Sequence, residues 1–401
     1  MLQQQRLLQY PTGASMTLTE LEENVHPVLH RLRACEPVSW VPVLNGWLIT
    51  RRDEAIRVMR DAKTYTVDHP GFSTAQVVGA SMLSLDGSQH RQHRDPFEKP
   101  FRRKEVQRRF SDTVANYIQN RLDGFVSNGR AELRRDYAGP IAVHTMIAAL
   151  GLENAEASVS VILGWYDTIV DAVTRVTAGE PVSAEGRAAF SALRDNLLPV
   201  LRERSDTSLL AAASGMAQGL SEDQIVSNAA VLLFGGIETT EGMIANAFYF
   251  LLTNPDILRI VRADPSLLPA VVEESLRMEP AATVVDRYAV HDVKLGDALI
   301  KKGDLIHISL AGANRDPDTF DDPDRFDPFR PNLREHVTFA QGPHVCLGLH
   351  LARLEAIYAL EHALTRLPNL RLDDTDGAWH AAQPRGLVFR KPPALHVVWD
   401  G

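Results

Sequence analysis

The chain has 401 residues, with 42 basic against 51 acidic side chains and a net charge of −9. That balance argues against nucleic acid as its main partner, and 45% hydrophobic with 23% charged residues gives it enough apolar surface for a large core. No apolar run reaches the roughly 18–20 residues of a membrane helix, and Cys35 and Cys346 are too few for a disulfide framework or an all-cysteine zinc site.

In chain order, the start MLQQQRLLQYPTG lacks the apolar centre and small-residue cleavage site of a signal peptide, which predicts a cytoplasmic protein. VSWVPV and WLIT flank Asn45-Gly46, a dipeptide suited to a tight hairpin turn because both positions tolerate positive φ. Ser221-Glu222-Asp223-Gln224 has the pattern of a capping box and opens a helix that runs to about Leu252 and stops before Asn254-Pro255. Such a helix is on the order of 40 Å long. Its middle is apolar nearly all round, so it belongs at the centre of the fold. A strand-rich stretch covers Asp286 to Leu310. A second helix is predicted to start at Cys346, with Leu347, Leu351, Leu354 and Tyr358 as its core stripe. GLVFR and ALHVVW close the chain as strands. No repeat or low-complexity linker divides it. The expectation is one domain over residues 1–401, mainly α with small β-sheets.

Four groups of residues carry chemistry. Phe339-Ala340-Gln341-Gly342-Pro343-His344-Val345-Cys346-Leu347-Gly348 is an irregular loop feeding a helix. A lone cysteine is more often a small buried hydrophobe than a ligand. The run as a whole resembles the haem-binding loop of the cytochrome P-450 family, F-x-x-G-x-H/R-x-C-x-G, and departs from it only at Ala340, where the family usually has Gly, Ser or Asn. The resemblance implies Cys346 as the axial thiolate of haem b, with Phe339, Gly342 and Gly348 shaping the loop.

Gly235-Gly236-Ile237-Glu238-Thr239-Thr240 lies in the middle of the long helix. Two interior glycines cost roughly 1 kcal/mol each relative to Ala, and a carboxylate is expensive in an apolar helix unless it is paired or used. Glycines also let a neighbouring helix cross closely. The segment is similar to the family's oxygen-binding helix, which implies that Gly235 and Gly236 open a groove for the cofactor and that Glu238 and Thr239 deliver protons. Glu274 and Arg277 meet on one helical face at i, i+3. They match the family's E-x-x-R helix, and Arg325 in Pro323-Asp324-Arg325-Phe326 is expected as the third member of a structural triad. His90, Arg94, Arg287 and His344 match family positions that bind the haem propionates, with His336 as a weaker candidate.

The segment from Arg91 to Arg109 carries Arg91, Arg94, Lys99, Arg102, Arg103, Lys104, Arg108 and Arg109 against Asp95, Glu98 and Glu105. A charge run is usually a solvated face; the resemblance implies a docking surface for an acidic ferredoxin.

The whole resemblance, with Ala313-Asn314-Arg315-Asp316-Pro317 among its ordered motifs, implies a cytochrome P-450 fold with haem between the central helix and the Cys346 loop and helix. It further implies no fused reductase, electrons from a ferredoxin and an NAD(P)H-dependent ferredoxin reductase, and O2 as co-substrate. The activity implied is hydroxylation of a hydrophobic small molecule, such as a terpenoid, polyketide, steroid or fatty acyl compound. Desaturation, epoxidation or C–C coupling on the same scaffold, a peroxide-using peroxygenase, and a haem-binding sensor are the alternatives. By family position, Met82, Val231, Phe234, Ala281, Thr283, Val284 and Val388 line the substrate pocket, and helices around Trp165 to Val173 form its lid.

Overall fold

The computed structural model describes residues 2–154, 157–177, 179–202, 219–375 and 378–401. They form two compact units, one comprising Met1–Thr66, Ala115–Ile141 and Glu238–Gly401, the other Val67–Val114 and Ala142–Ile237. The helices that bear on the site are α1 (Arg52–Arg60), α2 (Gly87–Glu98), α3 (Arg103–Asp123), α4 (Gly139–Leu150), α5 (Val159–Thr177), α6 (Ala184–Arg202), α7 (Glu222–Leu252), α8 (Leu268–Met278) and α9 (Leu349–Arg366). Strands are β1 (Val38–Val41), β2 (Gly46–Ile49), β3 (Tyr65–Thr66), β4 (Arg130–Glu132), β5 (Val284–Ala289), β6 (Val293–Leu295), β7 (Ala298–Ile300), β8 (Leu305–Ser309), β9 (Arg371–Leu372) and β10 (His396–Val398).

All of these strands belong to the first unit. They make a five-stranded sheet in the order β1-β2-β8-β5-β3, a three-stranded sheet β4-β10-β9 and a two-stranded ribbon β6-β7. β1 and β2 are buried along their whole length, as suits strands covered on both faces. They are antiparallel, with Val41 opposite Gly46, but the connection is not the predicted two-residue turn. Pro42–Leu44 form one 3-10 turn, and of the Asn45-Gly46 pair only Asn45 takes positive φ, at 47°. β2 then runs parallel to β8, placing Trp47 opposite Ile306 and Ile49 opposite Ile308. Around these residues lies a core that includes Tyr10, Trp40, Tyr65 and Val337.

β5 and β8 are antiparallel, with Asp286 directly opposite His307. His307 Nδ1 lies 2.7 Å from the Asp286 carboxylate and Nε2 lies 3.1 Å from the Leu44 carbonyl oxygen. Burial opposes protonation of this imidazole, but Asp286 outweighs it and raises the pKa above the ordinary value. The pair bridges the two strands one residue before Arg287, which stands opposite Ile306. The predicted GLVFR strand is reduced to isolated bridges, Ala282 with Phe389 and Arg385 with Lys391, because Gly386 at φ 118° turns the backbone.

α7 begins as predicted. The Ser221 amide donates to Gln224 Oε1 at 2.9 Å, and the Gln224 amide donates to Ser221 Oγ at 3.3 Å. The helix continues unbroken through Gly235-Gly236 to Leu252. In the second unit α5 buries Ile162, Tyr166, Ile169, Ala172 and Val173, and Thr177 at its end donates to Ser73 Oγ at 2.9 Å.

Candidate functional site

The Cys346 loop is built on the first unit's core. Val337 is fully buried there and Ala340 packs against the same cluster. The Ala340 amide closes a turn onto the Val337 carbonyl at 2.8 Å, with Ala340 at φ 58°. Gly342 follows at φ 74°. A Cβ there would stand 2.8 Å from the Met59 carbonyl oxygen and 2.9 Å from Arg60 Cα, so only glycine lets the loop lie against α1. Arg60 adds a hydrogen bond to Gln341 Oε1 at 3.0 Å. The Cys346 amide then turns back to the Phe339 carbonyl at 2.8 Å. That turn corrects the expected helix start: α9 begins at Leu349 with Gly348 as its N-cap residue, and Cys346 precedes it. His344 lies in the single 3-10 turn Gly342–His344. The result is an exposed cysteine on a braced loop. A Cβ added at Gly348 would meet no atom within 4 Å.

Side chains from two helices hold this loop. Arg353 of α9 lies 4.5 Å over the Phe339 ring and donates to Glu273 of α8 at 2.5 and 2.9 Å. His336 Nε2 is 3.1 Å from the same carboxylate. This contact engages His336 in the scaffold of the loop. Burial by itself would raise the Glu273 carboxyl, yet the Arg353 and then His336 hydrogen bonds bring it down to about 2.

Next to it, Glu274 and Arg277 are wholly buried and paired through two bonds, at 2.7 and 2.8 Å. The second arginine on Glu274 is Arg330, at 2.9 Å, and not Arg325. Arg325 is exposed and offers only its carbonyl oxygen, to Arg277 and Arg330. The reason is geometric: the chain turns between Asp322 and Arg330, so the Arg330 side chain points inward, where the Asp327 amide also donates to Glu274 at 2.9 Å. Asn314 links this cluster to the loop. Its carbonyl accepts from Arg277 at 3.0 Å and its side chain binds the Val337 amide at 2.7 Å and Thr338 Oγ1 at 2.8 Å.

The predicted pocket residues of the first unit come together. The Arg390 amide donates to the Ala281 carbonyl at 2.8 Å and the Thr283 amide to the Val388 carbonyl at 2.9 Å. The Thr283 hydroxyl donates to the Leu387 carbonyl, so Thr283 braces this loop. Val284 opens β5 half-buried, Val388 is 40% exposed and Arg287 is buried. Glu238 is half-buried on α7 and paired with Lys391, which also donates to Glu241 at 2.7 Å. The lysine is 153 residues away, out of reach of local pattern. The available signal was the pair Glu238 and Glu241 at i, i+3 on an apolar helix, which demands a cation.

In the second unit His90 and Arg94 lie one turn apart on α2, the former buried and the latter half-buried. Asn228 of α7, not singled out by sequence, accepts from the Met82 amide at 2.7 Å and lies 3.0 Å from His93 Nδ1. Val231 is buried one turn further on, with Phe234 half-buried beyond it. The two glycines separate in role. A Cβ at Gly236 would stand 2.3 Å from Met146 Sδ of α4, so Gly236 leaves room for the Met146 side chain. Around Gly235 a Cβ would meet nothing within 4 Å. Of the basic run, Arg108 and Arg109 are tied to Glu105 at 2.7 and 3.4 Å, while Arg102, Arg103 and Lys104 are exposed.

Among the described residues no group of three or more His, Cys, Asp or Glu gathers to hold a metal ion, and no helix is long and apolar enough to cross a membrane. The family model described as Cytochrome P450 matches residues 191–398. Cytochrome P450 107B1 of Saccharopolyspora erythraea is 32% identical, over 88% of this chain and 89% of its own. Mycinamicin IV hydroxylase/epoxidase of Micromonospora griseorubida is 33% identical, over 92% and 94%. The crystal structure of P450BioI in complex with hexadec-9Z-enoic acid ligated acyl carrier protein is similar with a TM-score of 0.83 at 25% identity, covering 95% of this chain and 100% of that one. With the cysteine loop, the buried Glu-Arg-Arg cluster and these likenesses together, the chain belongs to the cytochrome P450 family and is a monooxygenase whose cofactor is haem b.

Proposed function

We propose that this enzyme hydroxylates a hydrophobic small molecule of secondary or lipid and terpenoid metabolism, in the cytoplasm, with electrons from a ferredoxin and its NAD(P)H-dependent reductase. The whole chain is read as one catalytic domain, since the relatives align along most of its length. The observation that carries the reading is the exposed cysteine of a braced loop with open space at Gly348. That is the form expected of a thiolate meeting the flat face of a macrocycle.

Cys346 would hold the haem iron through its thiolate. His90, Arg94, Arg287 and His344 are assigned to the two propionate carboxylates, which need charge-assisted donors. Bound there, haem b supplies the activation of O2, and a thiolate ligand favours O–O cleavage. The protein's own part is positioning and proton control. Phe339, Gly342 and Gly348 keep the loop close, and Gly235 leaves an open stretch of helix. Thr239 holds a proton for transfer, and Glu238 resupplies it from solvent. By family position Met82, Val231 and Phe234 of the second unit and Ala281, Val284 and Val388 of the first are the substrate-facing residues; each set is apolar, which favours a substrate bound mainly by burial. Glu238 and Thr239 weigh against a peroxide-driven enzyme, which needs no proton delivery of this kind. Arg102, Arg103 and Lys104 are exposed near the start of α3, where the helix dipole disfavours cations. Their exposure leaves three cations free of the core to meet an acidic electron donor.

The deciding experiment is the carbon monoxide difference spectrum of the reduced protein. The red-shifted band of thiolate-ligated ferrous haem is expected, and Cys346→Ala is expected to lose it; a band retained in that variant overturns the ligand assignment. Thr239→Ala is expected to keep haem and substrate binding but to release NAD(P)H electrons as hydrogen peroxide. Full coupling in that variant removes the proton-delivery role.

A further inference from the structure

A charged cluster in the first unit joins the acid of α7 to the loop before the last strand. Lys391 Nζ donates to Glu238 and, at 2.7 Å, to Glu241 Oε2. Glu241 Oε1 accepts from Arg134 Nε at 2.7 Å, and Arg134 Nη1 donates to the Pro393 carbonyl at 2.6 Å. Two cations and two carboxylates thus alternate in a line. They are largely buried, with side-chain exposures of 21% for Arg134, 11% for Glu241, 13% for Lys391 and 23% for Glu238. Glu241 has two cations; among the described contacts Glu238 has Lys391 alone.

The lysine's backbone is firmly held. Its amide and that of Arg385 exchange hydrogen bonds at 3.2 and 3.1 Å. Within the loop so closed, Gly386 adopts φ 118° where a Cβ would lie 2.1 Å from the Phe389 carbonyl oxygen. Pro392 follows, which restricts Lys391 to extended backbone. The root of the side chain is therefore fixed, and its ammonium is aimed at two carboxylates one helical turn apart.

We propose that Lys391 is a positioning residue for proton delivery. It holds the Glu238 carboxylate in one orientation beside Thr239, so that each proton arriving from solvent passes through a carboxylate already in place. This rests on the roles proposed for Glu238 and Thr239. A plain structural tie between the loop and α7 predicts something different, because Glu241 serves that tie equally well.

The test compares Lys391→Met, Lys391→Arg and Glu241→Gln in the haem-loaded enzyme. The readouts are the share of NAD(P)H electrons released as hydrogen peroxide, the solvent deuterium isotope effect on turnover, and the melting temperature. Lys391→Met is expected to raise the peroxide share several-fold and enlarge the isotope effect, and Lys391→Arg to restore most of the coupling. Glu241→Gln, which leaves the contact between Lys391 and Glu238 in place, is expected to lower the melting temperature with coupling near that of the parent. Melting temperatures of Lys391→Met, Glu238→Gln and the double variant supply a readout independent of turnover, expected to be non-additive. If Lys391→Met yields no folded protein, Lys391→Gln takes its place.

Parent-like coupling and isotope effect in a Lys391 variant with an intact carbon monoxide band overturn the proposal. So does an equal loss of coupling in Glu241→Gln. A parent without the thiolate band, or a fully coupled Thr239→Ala, instead brings down the underlying reading.

Discussion

At the scale of single residues, Ala340 stands out because it occupies the left-handed region at φ 58°. An L-residue other than Gly, Asn or Asp pays roughly 1–2 kcal/mol there. The methyl group packs on the core around Val337 and recovers part of that. Ala340→Gly is therefore expected to stabilise the protein by about 0.5–1 kcal/mol, read as a small rise in melting temperature with an unchanged carbon monoxide band; a fall shows that the methyl packing outweighs the backbone strain. Arg325 and Arg330 make a sharper contrast. Arg325→Ala removes an exposed side chain and is expected to change stability by less than about 0.5 kcal/mol. Arg330→Ala leaves the buried Glu274 short of a partner and is expected to cost about 3–5 kcal/mol. Denaturant melts of the two variants check this, and equal effects reject the revised cluster. The family resemblance implies a second arginine for the E-x-x-R pair, but Arg325 and Arg330 are five residues apart in one irregular segment. Only the turn after Asp322 decides which points inward.

At the scale of elements, period and capping were enough to find α7, because the Ser221 box and the Asn254-Pro255 stop are local signals. α9 starts three residues after the expected Cys346, because its apolar stripe extends back to Leu347 while the Cys346 amide turns away to Phe339. The same divide between local and long-range information runs through the glycine pair. Sequence marks both Gly235 and Gly236 as unusual in a helix, and only packing separates them. Gly235→Ala adds a methyl to open space and gains helix propensity, so about 1 kcal/mol of stabilisation is expected. Gly236→Ala drives a methyl into Met146 and is expected to cost about 1–3 kcal/mol. Thermal melts of the two variants should move in opposite directions, and substrate-induced spectral shifts should be perturbed by Gly235→Ala if its open face is used for binding. Melts that move together show that the two positions share one packing role.

At the scale of the molecule, some of the ion pairs that hold the first unit together join residues too far apart for a sequence reading to see. Glu273 meets Arg353 across 80 residues and Glu279 meets Arg390 across 111. Neither is predictable from spacing, since nothing local distinguishes these acids from solvated ones. Their burial makes stability depend on pH. The Glu273 carboxyl lies at about 2 in the folded chain against 4.5 ordinarily, because Arg353 and His336 overcome its desolvation. A depressed folded pKa favours the folded state at every pH above about 4.5, and that advantage drains away as the pH falls from about 4.5 to about 2. For Glu273 the full difference is on the order of 3 kcal/mol. Glu273→Gln is thus expected to cost most at pH 7, where it removes an ionised partner from Arg353, and progressively less toward pH 3, where the unfolded parent's carboxyl is already protonated while the folded one is still largely ionised. Chemical denaturation of parent and variant at both pH values measures the gap directly. A gap as wide at pH 3 as at pH 7 means that the carboxyl is not what the acid titrates, and that the bonds from Arg353 and His336 act through shape alone.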